Sequence, residues 1–257
     1  MCRMLAYVGT PVPAATLVVD PPHSLLRQCT AAREQTSGHE NPDGWGIAWY
    51  PSPGAPDRYR TTTAMPDDAA GRAGLDDLVS GHFVAHVRHK SPGSPTEVAG
   101  NAPFVHGPWV FAHNGFVEGF RTGERERLRA RLSPARLAAL AGDADSEVLF
   151  GLVLDRLDEG ADPEDAVRRV LTSMGPGRYN LFLTDGTRFV ASRWDNSLHL
   201  RHDHPWRGAV IVASEPYDDE PDWRAVPDRS LVRIERGEVT VTPIGTPLDP
   251  APMEVLP

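Results

Sequence analysis

Cys2 follows the initiator methionine directly, a position that can place a thiol and a free α-amino group on one residue. Initiator methionine is normally trimmed when the next side chain is small, so a mature chain beginning at Cys2 is expected. A free α-amino group titrates near ~7.7 to 8.0, so near neutral pH part of it is neutral and can take the thiol proton, directly or through water. That is nucleophile activation without a histidine. With Met1 attached the same nitrogen is an amide with no basic lone pair, and uncleaved protein is expected to be inactive. Position alone also fits a small apolar residue beside the start codon.

Further along, His86-Val87-Arg88 ends an apolar strand and precedes the turn Ser91-Pro92-Gly93. An arginine so placed faces a cleft. Its planar guanidinium can hold a carboxylate through two parallel hydrogen bonds, and a hydrogen bond to a charged group contributes about 1.5 to 3 kcal/mol. The plain alternative is a surface arginine at a strand end. His113-Asn114-Gly115 follows Trp109 to Ala112 and fits a strand running into a sharp turn, where the asparagine amide and the glycine N–H converge as an oxyanion hole. One such donor is worth about 2.7 to 4 kcal/mol of transition-state stabilisation. A lone Asn-Gly is also simply a hairpin turn. Asp145 begins a helical segment, where its carboxylate either caps the helix or holds a substrate ammonium opposite Arg88.

These groups need elements to position them. Met4 to Val8 reads as a strand starting just after Cys2, with Gly9 to Pro13 as the turn that follows. Asp20-Pro21-Pro22-His23 breaks the chain before a segment centred on Leu25 and Leu26. The turn Asn41-Pro42-Asp43-Gly44 feeds a strand at Trp45, Ile47 and Trp49, and Pro51 to Pro56 reads as a surface loop. Arg58 to Thr63, Phe83 to Val87 and Trp109 to Ala112 follow as strands, with a short helix over Asp67 to Val79. Leu149, Leu152, Val153 and Leu157 then repeat with helical spacing, as do Ala166, Val167, Val170 and Leu171, and the two helices are expected to lie together. Tyr179 to Leu183, Phe189 to Ser192, Ala209 to Ser214, Leu231 to Ile234 and Val239 to Thr242 are expected as the short strands of a second sheet. Strands, then helices, then strands indicate a segregated α+β architecture.

With 257 residues, the chain is read as a single domain, 1–257, with a core over 2–246 and a loose tail over 247–257. A formal net charge of −9 without a Lys/Arg stripe argues against nucleic acid, and the absence of a long apolar run argues against a membrane. Without a signal-peptide pattern, a cytoplasmic location is the default. Cys2 and Cys29, the only cysteines, are too few for a disulfide framework or a four-thiolate site, and Cys29 reads as a core residue. His199, His202 and His204 with Asp203 are read as solvated residues between two strands, so no metal and no cofactor are expected.

The ordered set Met1-Cys2-Arg3, Asn41-Pro42-Asp43-Gly44-Trp45-Gly46, His86-Val87-Arg88, His113-Asn114-Gly115 and Asp145-Ser146 resembles the motifs of class II glutamine amidotransferases. The resemblance implies the four-layer αββα sandwich of N-terminal nucleophile hydrolases. It assigns catalysis to Cys2, Asn114 and Gly115, and the amino-acid end of the substrate to Arg88 and Asp145, with His113 and Ser91 beside them. Asp20 to Leu25, Ala213 to Asp219, Trp223 and Val226 to Arg229 resemble one branch in particular, which hydrolyses γ-glutamyl hercynylcysteine sulfoxide in ergothioneine biosynthesis. That branch implies a small γ-glutamyl substrate and release of glutamate without ammonia transfer, and leaves a homodimer open. Tyr217 to Trp223 is then a candidate strip for the non-glutamyl part, or a plain surface loop. His89-Lys90-Ser91 and Pro92 depart from the run that often follows the arginine in the family. The competing readings are a glutaminase subunit feeding ammonia to a separate synthase and a non-catalytic binding protein on the same fold.

Overall fold

Residues Met4 to Tyr7 are apolar without alternation, which suits a strand buried on both faces, and the computed structural model places them centrally in a sheet. The structure describes residues 1–203 and 205–245 and the backbone of Glu254–Val255. In chain order the strands are β1 (Arg3–Pro13), β2 (Trp45–Ser52), β3 (Ala55–Thr61), β4 (Val79–Val87), β5 (Phe104–His106), β6 (Trp109–Val117), β7 (Gly177–Thr184), β8 (Arg188–Arg193), β9 (His199–His202), β10 (Val210–Ala213), β11 (Arg224–Ala225), β12 (Ser230–Glu235), β13 (Glu238–Pro243) and β14 (Glu254–Val255). The helices are α1 (Ala15–Val18), α2 (Leu25–Ala31), α3 (Ala69–Asp77), α4 (Glu124–Arg129), α5 (Pro134–Ala138), α6 (Asp145–Asp158) and α7 (Pro163–Thr172).

Two seven-stranded antiparallel sheets result, ordered β11-β9-β10-β1-β4-β2-β3 and β14-β13-β12-β8-β7-β6-β5. The pleat sends Leu5 and Tyr7 to one face of β1, where they join Leu17, Leu25 and Leu75 from α1, α2 and α3. Met4 and Ala6 go to the other face and share a core with Phe111, Leu181 and Val232 of the second sheet. On that sheet's far side α6 and α7 pack against each other, and Phe150 stacks on Phe111 with ring centroids 5.0 Å apart. Asp162 caps α7 by accepting from the Glu164 amide, with Pro163 in the first turn, where its missing N–H costs nothing. The layers are helix, sheet, sheet, helix, the αββα sandwich implied by the motifs.

Several expectations need correction. Ala209 to Ser214 does not join the second sheet, because β10 pairs with β1 and β9 in the first. Gly9 to Pro13 is not a turn, because β1 continues to Pro13 through a register shift between Val8 and Val12. Pro51 to Pro56 is a tight hairpin rather than a loop, since β2 runs to Ser52 and β3 resumes at Ala55. His199 and His202 are strand residues in β9, paired to β10, and His199 Nε2 lies 2.8 Å from Glu34 Oε2. His204 lies outside the described residues, as does the tail from 247 on, apart from Glu254–Val255, which pairs with β13.

Candidate active site

The thiol is positioned by the pairing of two central strands. Arg3 of β1 lies opposite Val87 of β4, so Cys2, just before β1, meets the residues just after β4. Cys2 Sγ lies 3.5 Å from the His89 carbonyl oxygen and 3.4 Å from the His89 amide, which donates to it. The turn Asn41-Pro42-Asp43-Gly44 is fastened to the same segment. Arg88 N donates to Gly44 O at 2.8 Å, Asp43 N donates to Arg88 O at 3.0 Å, and Asp43 Oδ2 accepts from Lys90 N at 2.9 Å. Gly44 is a steric requirement: its φ is +113°, and a Cβ there would meet Thr61 O at 2.2 Å.

Cys2 is only 8% exposed. Burial pushes its thiol above the ordinary value, while the N-terminal charge, the His89 amide and the guanidinium groups of Arg88 and Arg3 pull it back. Burial also lowers the Met1 amine below its ordinary value, against the opposing pull of Cys2 and Asp43.

Behind Cys2 is a small chamber of about 30 Å³ walled by His86, Arg88, His113, Gly115 and Asp145. It communicates with an outer pocket of about 590 Å³ through shared walls at His89, Ser91, Gly115 and Asp145, and Met1 stands in the outer pocket's wall. Arg88 is 5% exposed; its Nη1 donates to Asn101 Oδ1 at 2.7 Å and its Nη2 to Pro95 O at 3.4 Å. Asn101 thus orients the guanidinium. Burial holds the neighbouring His86 near pKa 3, so its imidazole is neutral.

Asp145 is the first residue of α6, but it does not cap that helix in the expected way. Ala144 is the N-cap residue, and Asp145 Oδ2 accepts from Val117 N at 2.9 Å while Oδ1 accepts from Ser146 N at 2.7 Å. The carboxylate therefore ties the end of β6 to the start of α6 at the chamber wall. Ser146 Oγ lies 3.0 Å from His113 Nδ1, and His113 Nε2 lies 2.9 Å from Arg178 O. A carbonyl only accepts, so Nε2 carries a proton, and the Ser146 hydroxyl lies between His113 Nδ1 and Asp145 Oδ1, the latter 3.2 Å away.

His113-Asn114-Gly115 is not at a turn. All three lie inside β6, opposite Leu181, Asn180 and Tyr179 of β7. Alternation then sends His113 and Gly115 to the chamber, whereas Asn114 is fully buried and lines neither cavity. Asn114 Nδ2 is 3.4 Å from Ser214 Oγ, and Ser214 Oγ accepts from Met4 N at 2.9 Å. The Asn114 amide oxygen has no partner among the described residues. The structure thus brings Cys2, Arg88, Ser91, His113, Gly115 and Asp145 to one place and sets Asn114 beside β1 instead. Tyr217 to Trp223 is committed elsewhere. Tyr217 stacks edge-on against Trp223, and Asp218 and Asp222 pair with Arg201 between them at 2.7 and 2.8 Å.

Sequence reasoning did not single out Asn101, Ser146 or Arg178. Ser146 was named only as part of the Asp145-Ser146 motif, without a role of its own. Asn101 sits in an irregular loop and reaches Arg88 only through the fold, with no local signal.

The model of the class-II glutamine amidotransferases matches residues 14–209. A protein of Mycolicibacterium smegmatis named γ-glutamyl-hercynylcysteine sulfoxide hydrolase is 34% identical over 245 residues, covering 95% of this chain and 100% of that protein. One of Mycobacterium tuberculosis with the same name is 33% identical, over 94% of this chain and 96% of its own. Among solved structures, a protein of Silicibacter pomeroyi described as a glutamine aminotransferase class-II domain protein superposes with a TM-score of 0.72 at 24% identity, covering 95% of this chain and 100% of that one, a likeness of fold. With the family model spanning most of the sequence and full-length relatives above 30% identity, the chain belongs to the class II glutamine amidotransferases.

Proposed function

We propose that this chain is a cytoplasmic γ-glutamyl amide hydrolase that uses Cys2, freed of Met1, as its nucleophile, and that its substrate is γ-glutamyl hercynylcysteine sulfoxide. The observation that carries the reading is the thiol's place on a chamber whose other walls are a buried arginine and an aspartate, Arg88 and Asp145. Those charges match the α-carboxylate and α-ammonium of a glutamyl group and would leave its γ-carbonyl at the thiol. The substrate is taken from the names of the mycobacterial relatives.

In this mechanism the Cys2 thiol gives its proton to its own α-amine and attacks the γ-carbonyl carbon. Gly115 and Asn114 stabilise the oxyanion. For Asn114 this requires the amide to turn from Ser214, a contact of 3.4 Å whose loss is inexpensive. The ammonium returns the proton to the leaving nitrogen, the C–N bond breaks, and the glutamyl group remains as a thioester on Cys2. Water, deprotonated by the α-amine, then cleaves the thioester and releases glutamate. Ser91 and His113 shape the glutamyl side of the chamber.

The test is glutamate release by protein shown by mass to lack Met1, offered γ-glutamyl hercynylcysteine sulfoxide, glutamine and γ-glutamylcysteine separately. Turnover of the first above the others, abolished in Cys2→Ala, is expected. Full activity of Cys2→Ala would remove the nucleophile from the reading, and preference for glutamine would replace hydrolysis by ammonia supply to a separate synthase.

A further inference from the structure

Arg178 begins the strand beside the chamber and is not used by the mechanism above. It lies opposite Phe116 in the β6–β7 register, one position beyond Gly115, and its carbonyl accepts from His113. Its guanidinium reaches forward to the residue ahead of the nucleophile, with Nη1 3.5 Å from Met1 Sδ. Thr36 Oγ1 and Asn196 Oδ1, the latter at 3.3 Å, also accept from it, and the guanidinium lies over the Phe116 ring, 6.0 Å from its centroid. Asn196 is 3% exposed, and its Nδ2 donates to Asn114 O at 2.9 Å, so the guanidinium is braced against the strand that carries Asn114 and Gly115. No carboxylate among the described residues pairs with Arg178, whereas Arg201 of β9 holds both Asp218 and Asp222.

The outer pocket continues past Phe116 and Glu118 into a groove of about 680 Å³ walled by Arg178 and Trp194. Ammonia needs neither that space nor a second cation. A γ-glutamyl group joined to an amino acid carries carboxylates at both ends, and the site has a guanidinium at each: Arg88 behind Cys2, and Arg178 where Met1 now stands. Resting on the reading of the chain as a γ-glutamyl hydrolase, we propose that Arg178 binds the α-carboxylate of the departing amino acid and makes the enzyme selective for γ-glutamyl-linked α-amino acids over glutamine. Removal of Met1 then exposes both the nucleophile's amine and this anchor in one step.

The experiment compares γ-glutamyl-S-methylcysteine sulfoxide with the same compound carrying a carboxamide in place of its cysteine carboxylate, in Met1-free wild type, Arg178→Met and Arg178→Lys. Thermal melts verify folding. Arg178→Met is expected to lower kcat/KM for the acid on the order of 10- to 100-fold, mostly through KM, and to leave the carboxamide nearly unchanged. Arg178→Lys keeps the charge without the planar fork and falls between. An equal loss on both compounds, or none on either, overturns the assignment while leaving the hydrolase reading intact. A wild type that cleaves neither compound, nor γ-glutamyl hercynylcysteine sulfoxide, overturns both.

Discussion

Replacing Gly115 with alanine separates a strand from a turn at the centre of the site. At the crowded point where β6 faces β7, a Cβ on residue 115 would lie 1.9 Å from Arg178 O and 2.6 Å from His113 Nε2, against the 3.4 Å or more of an ordinary contact. Neither neighbour is the free end of a flexible side chain. Arg178 O is backbone, and the His113 ring is fixed at both nitrogens by Arg178 O and Ser146 Oγ. The strands must therefore separate by more than 1 Å, and overpacking of this kind costs about 1 to 3 kcal/mol. The His113 bond to Arg178 breaks as they part, for about 0.5 to 1.5 kcal/mol more. The sum, about 1.5 to 4.5 kcal/mol, corresponds to a melting point lower by roughly 3 to 18 °C in a domain of this size. Activity should fall on the order of 10²-fold or more, because a displacement of about 1 Å next to Cys2, the proposed nucleophile, spoils the attack geometry. Gly54→Ala is the control: its φ is +84° in the β2–β3 hairpin with nothing within 4 Å, so it should cost about 1 to 2 kcal/mol and no activity. Melting and glutamate release are measured on both variants. A Gly115→Ala protein that melts and turns over like its Gly54→Ala counterpart would mean that residue 115 is not confined between strands.

Two further outcomes follow from burial. His82 and His86 are held near pKa 4 and 3, chiefly by desolvation, from an ordinary value of 6.5. Their neutral forms belong to the fold, so their share of stability is intact above pH 6.5 and is lost as pH falls toward the folded values. Each contributes a slope of up to about 1.4 kcal/mol per pH unit in that window, and His82→Asn should remove roughly one such slope in denaturant titrations between pH 7 and 5. A slope unchanged by the substitution would show that His82 is solvated. Burial pushes Cys29 to about 11, and its thiol donates to Asn41 O at 2.9 Å, so iodoacetamide at pH 8 should modify Cys2 of Met1-free protein and leave Cys29 unmodified by mass. Equal labelling of both thiols in the folded protein would contradict that burial.

What could be read from the chain before its structure depended on how local each signal was. The apolar periods of α6 and α7 and the strands β2, β8 and β12 follow from patterns a few residues long, and all lie where those patterns place them. Glycine misled in two opposite ways. Gly9, with Pro11 and Pro13, looked like punctuation, yet β1 absorbs it at a register shift; Gly115 after Asn114 looked like a hairpin, yet it is mid-strand. In the second case the glycine answers to crowding by a neighbouring strand and its own chain's histidine, contacts made across 63 residues of sequence at Arg178 as well as locally, and a turn-forming φ is not what it supplies. Asp145 shows the same limit. A carboxylate at a helix start is a cap by local rules, but here its oxygens face the Val117 amide and the adjoining Ser146, so it fastens two elements that no sequence window contains together. The charges around Cys2 follow the pattern as well: Arg88 was legible because it ends a strand in a recognisable motif, while Arg178 lies in plain sequence and acquires its position only when β7 pairs with β6. The motifs mark Arg88 and Asp145, the groups proposed for the glutamyl end. Arg178, proposed for the other end of the substrate, has no such mark, and for it the register of two strands is the first informative observation.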